Sequence, residues 1–302
     1  MPPLLSIRNL EVQFKVGRRR NVKAVDGVTL DILRGETLGL VGESGCGKTT
    51  LARALVGLVK PSKGEIVRHD DFRTQMIFQD SYSSLDPRMT VQAIISEGIH
   101  KLDQLARVRE LMELVGLDPA LSTCYPHELS GGQRQRIGIA RAISTDPEFI
   151  VADEPIAALD VSVQAQILNL LEELQDRLAL TYLFISHDLR AVHHLADRIA
   201  VMHLGKLVEL GPAPQIYEKP LMPYTKALIS AVPSPNPEIE LRRLRIVLQG
   251  DIPSQVDPPS GCRFRTRCPQ VMPECSLSEP VLREILPDHL AACHAIPHNG
   301  NE

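Results

Sequence analysis

The chain contains 302 residues, of which 43% are hydrophobic and 23% charged, and it carries a formal net charge of −4. A globular chain of this length buries enough surface to fold without disulfides. The lack of a net positive charge argues against a nucleic-acid-binding protein, so we expect no nucleic acid partner.

The N-terminal third is predicted to contain strands and one helix. Residues 4–14 and 22–32 have strand patterns, and the apolar run 37–41 is a further strand that ends in a glycine-rich loop. A helical pattern follows over 49–59 and stops before Pro61. The chain enters its first strand without the apolar stretch of a secretory signal, so we expect no export.

The middle of the chain predicts an α/β fold. Residues 84–145 have a helical pattern, with apolar side chains at a spacing of three to four residues. The runs 149–152 and 182–185 are continuously apolar, which is typical of strands buried in a parallel sheet, and a helix is predicted over 163–178. No stretch approaches the roughly 18–20 apolar residues that span a bilayer, so any work at a membrane requires partner subunits.

A change in composition predicts a domain boundary at 230–238, where three prolines mark a linker. We therefore expect an N-terminal domain over 1–232, with a helical subdomain at about 80–145. A small C-terminal domain over 233–302 is expected to follow, rich in Pro, Arg and Cys.

A phosphate-binding loop is predicted at 42–49, which fits the pattern G-x-x-x-x-G-K-[ST] between a strand and a helix. Its glycines let backbone N–H groups surround an anion, and the helix adds the positive end of its dipole. Lys48 would contact the β- and γ-phosphates of a nucleotide, and the Thr49 hydroxyl would hold Mg²⁺. The predicted nucleotide-binding residues here are Gly42, Glu43, Ser44, Gly45, Cys46, Gly47, Lys48, Thr49 and Thr50. The loop alone does not distinguish kinases, GTPases and motor ATPases.

Two carboxylates end the apolar strand 149–152. Asp153 would reach Mg²⁺, and Glu154 would orient and polarise the attacking water as a general base. An isolated Asp-Glu pair after a strand is more often a turn. Downstream of a phosphate loop, the pair favours nucleotide hydrolysis.

A second anion site is predicted at Leu129-Ser-Gly-Gly-Gln133, just before a predicted helix over 134–144. Ser130, Gly131, Gly132 and Gln133 would form a helix N-terminus suited to an anion. This pentapeptide resembles the signature of ABC ATPases. The resemblance implies that two ATP-binding domains dimerise head to tail, with the signature of one closing on the γ-phosphate held by the other.

Further elements resemble those of the same family. Gln79 matches the glutamine that contacts Mg²⁺ and the attacking water, and His187 matches the histidine that contacts the γ-phosphate. The segment Ala157-Ala-Leu-Asp160 is similar to the family's loop across the dimer interface. Phe14 lies where the family has an aromatic residue stacked on adenine. A lone His or Phe would otherwise be structural, and the family context favours these roles.

The resemblance covers residues 4 to about 230 and is strongest to the ATPases of peptide importers. The supporting segments are Ala24–Gly27, Val41–Lys48, Phe78–Asp80, Ser84–Pro87, Ser130–Arg136, Asp160–Val163, Ser186–Leu189 and Pro223–Leu228. The resemblance implies a P-loop NTPase fold, with a RecA-like core, an N-terminal antiparallel β part and a helical subdomain. One departure is that the segment between Ile66 and Gln75 is shorter than is usual in the family.

The resemblance also implies a working context. ATP hydrolysis would power import of dipeptides or oligopeptides through two transmembrane permease subunits, at the cytoplasmic face of the inner membrane. A second, paralogous ABC ATPase would complete a heterodimer, and an extracytoplasmic solute-binding protein would act indirectly. Three alternatives stay open: import of nickel, glutathione or another small solute, a soluble ABC ATPase, and an Fe–S electron-transfer or sensor protein.

Four cysteines near the C-terminus have the spacing C-x5-C-x6-C-x17-C: Cys262, Cys268, Cys275 and Cys293. Without an export signal, such a group favours metal binding over disulfides. The segment resembles the C-terminal extension of peptide-importer ATPases, where such cysteines are associated with a [4Fe–4S] cluster. Zn²⁺ and the absence of a metal remain alternatives, although zinc sites have tighter cysteine pairs.

Overall fold

The computed structural model describes residues 2–17, 20–80, 84–99, 104–157, 159–233, 245–251 and 253–297. The chain divides into two compact units, each built from separate stretches of sequence. The first unit comprises residues 1–2, 33–36 and 70–186, and the second comprises 3–32, 37–69 and 187–302.

The strands are β1 (Pro3–Val16), β2 (Arg20–Leu33), β3 (Thr37–Val41), β4 (Lys63–Arg68), β5 (Thr74–Ile77), β6 (Phe149–Asp153), β7 (Thr181–Ile185), β8 (Arg198–His203), β9 (Lys206–Pro212), β10 (Arg283–Leu286) and β11 (His289–Ala291). The helices are α1 (Lys48–Leu55), α2 (Val91–Ser96), α3 (Gln104–Leu114), α4 (Gly131–Ile143), α5 (Val161–Leu178), α6 (Leu189–Leu195), α7 (Ala213–Glu218), α8 (Pro223–Ser230) and α9 (Glu274–Leu277). Two 3-10 turns lie at Pro119–Thr123 and Pro126–Glu128.

The first unit is organised around a parallel sheet in which β6 lies between β5 and β7. Every residue of β6 and β7 is buried, which confirms the two apolar runs as interior strands. In the register of the sheet, Ile77 lies beside Ala152, and Asp153 lies beside Ile185. The residues that follow these strands therefore emerge at one edge of the sheet.

The helical region predicted at 84–145 is confirmed as helical, but it is divided into α2, α3 and α4. Gly116 ends the turn after α3 with a φ of +69°, a conformation that favours glycine. Pro119 and Pro126 then each begin a 3-10 turn, because their fixed φ suits a first helical position but cannot continue a helix. Residues 100–103 within this region lie outside the described part.

The second unit contains two groups of strands. In the N-terminal group, β1 lies between β2 and β4 and is antiparallel to β4. In the other group, β3 is parallel to β8, and β8 pairs with β9 in an antiparallel hairpin. The buried strand β3 leads directly into the phosphate-loop sequence, so this sheet positions the loop.

The C-terminal residues add strands that the sequence pattern did not predict. β11 pairs antiparallel with β9 through Leu290–Leu210 and Ala291–Glu209, and β10 pairs with β11. These strands have four and three residues, too few for a hydrophobic period to be recognised. The predicted linker falls largely on residues 234–244, outside the described residues, so the boundary stays a prediction.

Candidate functional site

The phosphate-loop sequence has a backbone that requires glycine at two positions. Gly42 has a φ of +154°, and a Cβ there would lie 2.1 Å from the Met202 carbonyl oxygen. Gly47 has a φ of +111°, and a Cβ there would lie 2.1 Å from the Ala24 carbonyl oxygen. A side chain at either position would collide with fixed backbone, so the loop's tight turn depends on both glycines.

Lys48 begins helix α1, immediately after the loop. Its Nζ donates hydrogen bonds to the carbonyl oxygens of Gly42, at 2.7 Å, and Glu43, at 3.1 Å. The ammonium group is therefore held over the concave side of the turn. Thr49 and Thr50 follow in the first turn of α1, where backbone N–H groups lack helical partners.

The first unit brings three predicted residues to one edge of its sheet. Asp153 ends β6 and is only 2% exposed, and Glu154 follows it. Ile77 of β5 pairs with Ala152 of β6. Gln79 follows Ile77 by two residues and Glu154 follows Ala152 by two, so both emerge at the same edge of the sheet. An edge formed by the carboxyl ends of parallel strands is where α/β proteins place their functional groups.

Glu154 has a φ of +50°, which is unusual for a residue with a side chain. Its backbone N–H donates to the Ile185 carbonyl oxygen at 2.9 Å, and this bond holds the turn after β6. Non-glycine residues in this region cost about 1–3 kcal/mol and occur most often at functional sites. Other non-glycine residues, among them Ala179 and Leu204, also have positive φ, so this conformation fixes the turn at Glu154 without identifying its chemical role.

The signature segment forms the N-terminus of α4. The Ser130 hydroxyl accepts from the Gln133 N–H at 3.3 Å, and the Gln133 side-chain oxygen accepts from the Ser130 N–H at 2.9 Å. This reciprocal capping box stabilises the start of the helix. A Cβ on Gly132 would lie 2.8 Å from Cγ1 of Val163 in α5, so the small residue allows close packing.

Asp160 caps helix α5 and accepts hydrogen bonds from the Ser162 hydroxyl, at 2.6 Å, and the Val163 N–H, at 2.9 Å. These hydrogen bonds, above all that from Ser162, lower the pKa of Asp160 below its usual value.

Two other predicted site residues are exposed. His187 is exposed after Ser186, and Phe14 in β1 is 43% exposed. An exposed aromatic ring on a strand is available for stacking. Ala158, within the predicted interface loop, lies outside the described residues.

The second unit also contains loop contacts that the sequence pattern missed. The Arg267 guanidinium donates two hydrogen bonds to the Glu43 carboxylate, at 2.8 and 2.9 Å. Gln255 Nε2 donates to the Gly45 carbonyl oxygen at 2.6 Å, and the Tyr224 hydroxyl accepts from the Glu43 N–H at 2.9 Å. Arg267 follows Glu43 by 224 positions, so no local spacing signals this contact.

The four C-terminal cysteines are free thiols. Burial raises the pKa of Cys262 to about 11, and the thiols of Cys275, Cys268 and Cys293 act in the same direction. The Cys262 N–H also donates to the Cys275 carbonyl oxygen at 2.8 Å. Across the described residues, however, no group of three or more His, Cys, Asp or Glu side chains could hold a metal ion.

Within the described parts of the chain, none of the helices has the length and apolar character needed to cross a membrane.

Comparison with known proteins identifies relatives along most of the chain. A family model described as ABC transporter matches residues 25–157, and one described as oligopeptide/dipeptide transporter, C-terminal region, matches residues 208–275. The protein YkfD of Bacillus subtilis (strain 168) is 55% identical over 97% of this chain and 95% of its own length. The oligopeptide transport ATP-binding protein OppF of Salmonella typhimurium is 50% identical over 92% of each chain.

Solved structures show the same fold. The cbiO1 protein of Clostridium perfringens, part of an ABC transporter complex, matches with a TM-score of 0.63 at 28% identity, over 72% of this chain and 92% of its own. The dimeric ATP-binding cassette MJ0796, bound to ADP and phosphate, matches with a TM-score of 0.61 at 26% identity, over 69% and 98% of the two chains. The predicted α/β cassette fold is therefore confirmed.

Proposed function

Because the chain belongs to the oligopeptide/dipeptide importer family of ABC transporter ATP-binding subunits, we propose that it hydrolyses ATP to power peptide import. The observation that supports the ATPase assignment is the position of Glu154, which directly follows the buried Asp153 at the carboxyl edge of the first unit's sheet. The products are ADP, phosphate and a proton, which leaves from the attacking water.

Nucleotide binding rests on the loop at 42–50. Its backbone N–H groups would hold the phosphates, and Lys48 would exchange its contacts with Gly42 and Glu43 for phosphate oxygens. The adenine ring would stack on Phe14. Loop residues Ser44, Gly45, Cys46 and Gly47 would supply the cradle, because the backbone is already turned there by glycines.

Magnesium fits the donor chemistry of three proposed ligands, the Thr49 hydroxyl, the Gln79 amide oxygen and the Asp153 carboxylate, since this hard cation prefers oxygen. When bound, it would neutralise charge on the phosphates. Glu154 would accept a proton from the attacking water, while Gln79 would orient that water and His187 would contact the γ-phosphate. These roles agree with the exposed or half-buried side chains of Glu154, Gln79 and His187.

The signature at Ser130–Gln133 would act on the nucleotide of a second ATP-binding subunit, with Asp160 near that interface. A helix N-terminus capped by Ser130 presents N–H groups and a positive dipole end suited to a phosphate. We propose a paralogous partner ATPase, two transmembrane permease subunits and a peripheral position at the cytoplasmic face of the inner membrane. An extracytoplasmic solute-binding protein would deliver the peptide.

A thiolate-ligated metal centre is the proposed role of Cys262, Cys268, Cys275 and Cys293. Four thiolates suit a [4Fe–4S] cluster or Zn²⁺ as donors, but in the described residues they are not grouped to hold a metal, so binding would require the four side chains to move together. Iron, sulfide and zinc analysis of anaerobically purified protein tests this. Iron and sulfide in equal amounts support the cluster, zinc supports the alternative ion, and a metal-free protein rejects both.

The function is tested by Glu154→Gln in the assembled transporter. We expect ATP turnover and peptide uptake into vesicles to fall by about 10²–10⁴-fold, because the general base is lost while ATP still binds. The matched control is Glu173→Gln on the exposed face of α5, where only a surface pair with Arg177 is lost. Turnover at the wild-type rate in Glu154→Gln would contradict the assignment.

A further inference from the structure

Glu43, inside the phosphate-binding loop, is held by a side chain from far along the sequence. Arg267 binds both of its carboxylate oxygens, and the Arg267 side chain is only 8% exposed. Two parallel charge-assisted hydrogen bonds fix orientation as well as distance. The Glu43 carboxylate is therefore held in one orientation by the Arg267 guanidinium.

The backbone of Glu43 is fixed as well. Its N–H donates to the hydroxyl of Tyr224, a fully buried ring. That ring packs on Phe264, with ring centroids 5.3 Å apart, and on His203, at 4.4 Å. Phe264 lies between Arg263 and Arg267 in sequence, so one C-terminal segment supports Glu43 both by packing and by charge.

The next part of the loop is held in the same way. Gln255 donates to the Gly45 carbonyl oxygen at 2.6 Å, and the Gly205 N–H donates to the Cys46 carbonyl oxygen at 2.8 Å. The Leu204 carbonyl oxygen in that same turn accepts a hydrogen bond from Arg263. Residues 255–267 therefore contact Glu43 and Gly45 directly. They contact Cys46 indirectly, through the turn at Leu204 and Gly205.

We propose that residues 255–267 brace the phosphate-binding loop, and that Arg267 is a positioning residue for ATP binding. This inference rests on the proposed function, because it concerns the same nucleotide site. Glycine-rich loops lose much backbone entropy when they order around a ligand, and a preformed loop avoids that loss. The brace would therefore raise affinity for ATP without entering the chemistry.

The resulting prediction separates binding from catalysis. Arg267→Gln removes the positive charge and the paired hydrogen bonds of the guanidinium to Glu43. The loop must then order when ATP binds, so we expect the KM and Kd for ATP to rise about tenfold. The kcat should change less than about twofold, because a loss of binding common to substrate and transition state raises KM alone. Arg267→Lys keeps the charge and should recover part of the affinity.

The experiment measures ATP binding to the full-length chain and ATP turnover by the assembled transporter. The matched control is Arg265→Gln, which removes the same charge two residues away; in the described part of the chain the Arg265 side chain donates its hydrogen bonds to Ser260. Hydrogen exchange of the amides of residues 43–47 is followed in parallel. Arg267→Gln should accelerate this exchange, whereas Arg265→Gln should not.

Two further variants keep the test decisive if Arg267→Gln does not fold. Gln255→Ala removes the hydrogen bond to the Gly45 carbonyl oxygen and should also raise the KM for ATP. The exchanged pair Glu43→Arg with Arg267→Glu should bind ATP better than Glu43→Arg alone. Equal KM values in Arg267→Gln and Arg265→Gln, or a fall in kcat alone, overturn the brace. A wild-type transporter without ATPase activity instead overturns the proposed function, and the exchange measurement still decides the brace.

Discussion

His203 is a titratable residue buried in the second unit. It is 1% exposed and its ring contacts the rings of Tyr224 and Phe264. Burial, the largest effect, lowers its pKa to about 4; Glu43 opposes the shift, while the charges of Arg267 and Arg263 add to it. The imidazole is therefore neutral at physiological pH.

This environment predicts an acid sensitivity. Since the folded state disfavours the charged imidazole, stability is full above the ordinary pKa of about 6.5 and is lost as the pH falls toward 4. We expect the free energy of unfolding to fall by about 2 kcal/mol between pH 7 and pH 5. Denaturant unfolding of the wild type and His203→Leu measures this. An equally steep loss in the variant would assign the effect to other groups.

Individual residues were predictable where chemistry demands a local pattern. Gly42, Gly47 and Lys48 follow from the phosphate-loop spacing, and the backbone shows why glycine is needed. Arg267 was not predictable, because an ion pair that closes across 224 positions leaves no periodic signal. The folded structure was needed to connect it to Glu43.

At the scale of elements, strand β3 and helix α6 show how closely the second unit is packed. A Cβ on Gly39 would lie 2.4 Å from Cγ1 of Val192 and 3.1 Å from Cβ of Ala196. Val192 is fully buried in α6. The helix can approach the strand only because position 39 carries no side chain, which is the role that glycine has in close helix–strand contacts.

Gly39→Ala is therefore expected to destabilise the protein by about 1–3 kcal/mol, since α6 must move away from β3. Val192→Ala in the same chain frees space and should return part of that loss in a double-mutant cycle. Denaturant unfolding provides the measurement. Additive effects of the two substitutions would show that the predicted collision does not occur.

Gly138→Ala in α4 is expected to stabilise the protein, in contrast to Gly39→Ala. A Cβ there meets no atom within 4 Å outside the backbone of its own helix. Alanine loses less conformational entropy than glycine in a helix, so the variant should be more stable by about 0.5–1 kcal/mol. The same unfolding assay tests this, and a loss of stability would mean that α4 tolerates no side chain at that position.

Elements with a long apolar run or a clear period were predicted well, and short ones were not. The runs 149–152 and 182–185 appear as β6 and β7, with every residue buried. The helix predicted at 49–59 is shorter, ending at Leu55, because a turn that includes Gly57 follows. The strands β10 and β11 take their conformation from the pairing of β11 with β9 rather than from their own sequence.

At the scale of the whole molecule, the C-terminal residues contribute to the core of the second unit. Glu209 of β9 and His289 of β11 are both fully buried and lie 2.8 Å apart. The Glu209 carboxylate also accepts from the N–H groups of Leu221, at 2.7 Å, and Met222, at 3.0 Å. Arg263 adds an ion pair with the buried Asp26. Through Arg263 and His289, these contacts join the described C-terminal residues to β2 and β9.

A chain that ends at Pro233 should therefore be less stable by about 3–5 kcal/mol, because buried Glu209 and Asp26 each lose a partner. The matched control ends at Pro297 and keeps every one of these contacts. Chemical unfolding with a probe in the second unit compares the two chains. Identical midpoints would show that the C-terminal residues fold as an independent domain.

The link between Glu43 and Arg267 also has a consequence for synthesis of the protein. A ribosome adds about 5–20 residues per second, so roughly 10–45 s separate the synthesis of these two partners. During that interval the growing chain has its phosphate-binding loop but not the segment that holds it in place. At a given ATP concentration, the nucleotide would therefore stabilise an unfinished chain less than the complete polypeptide.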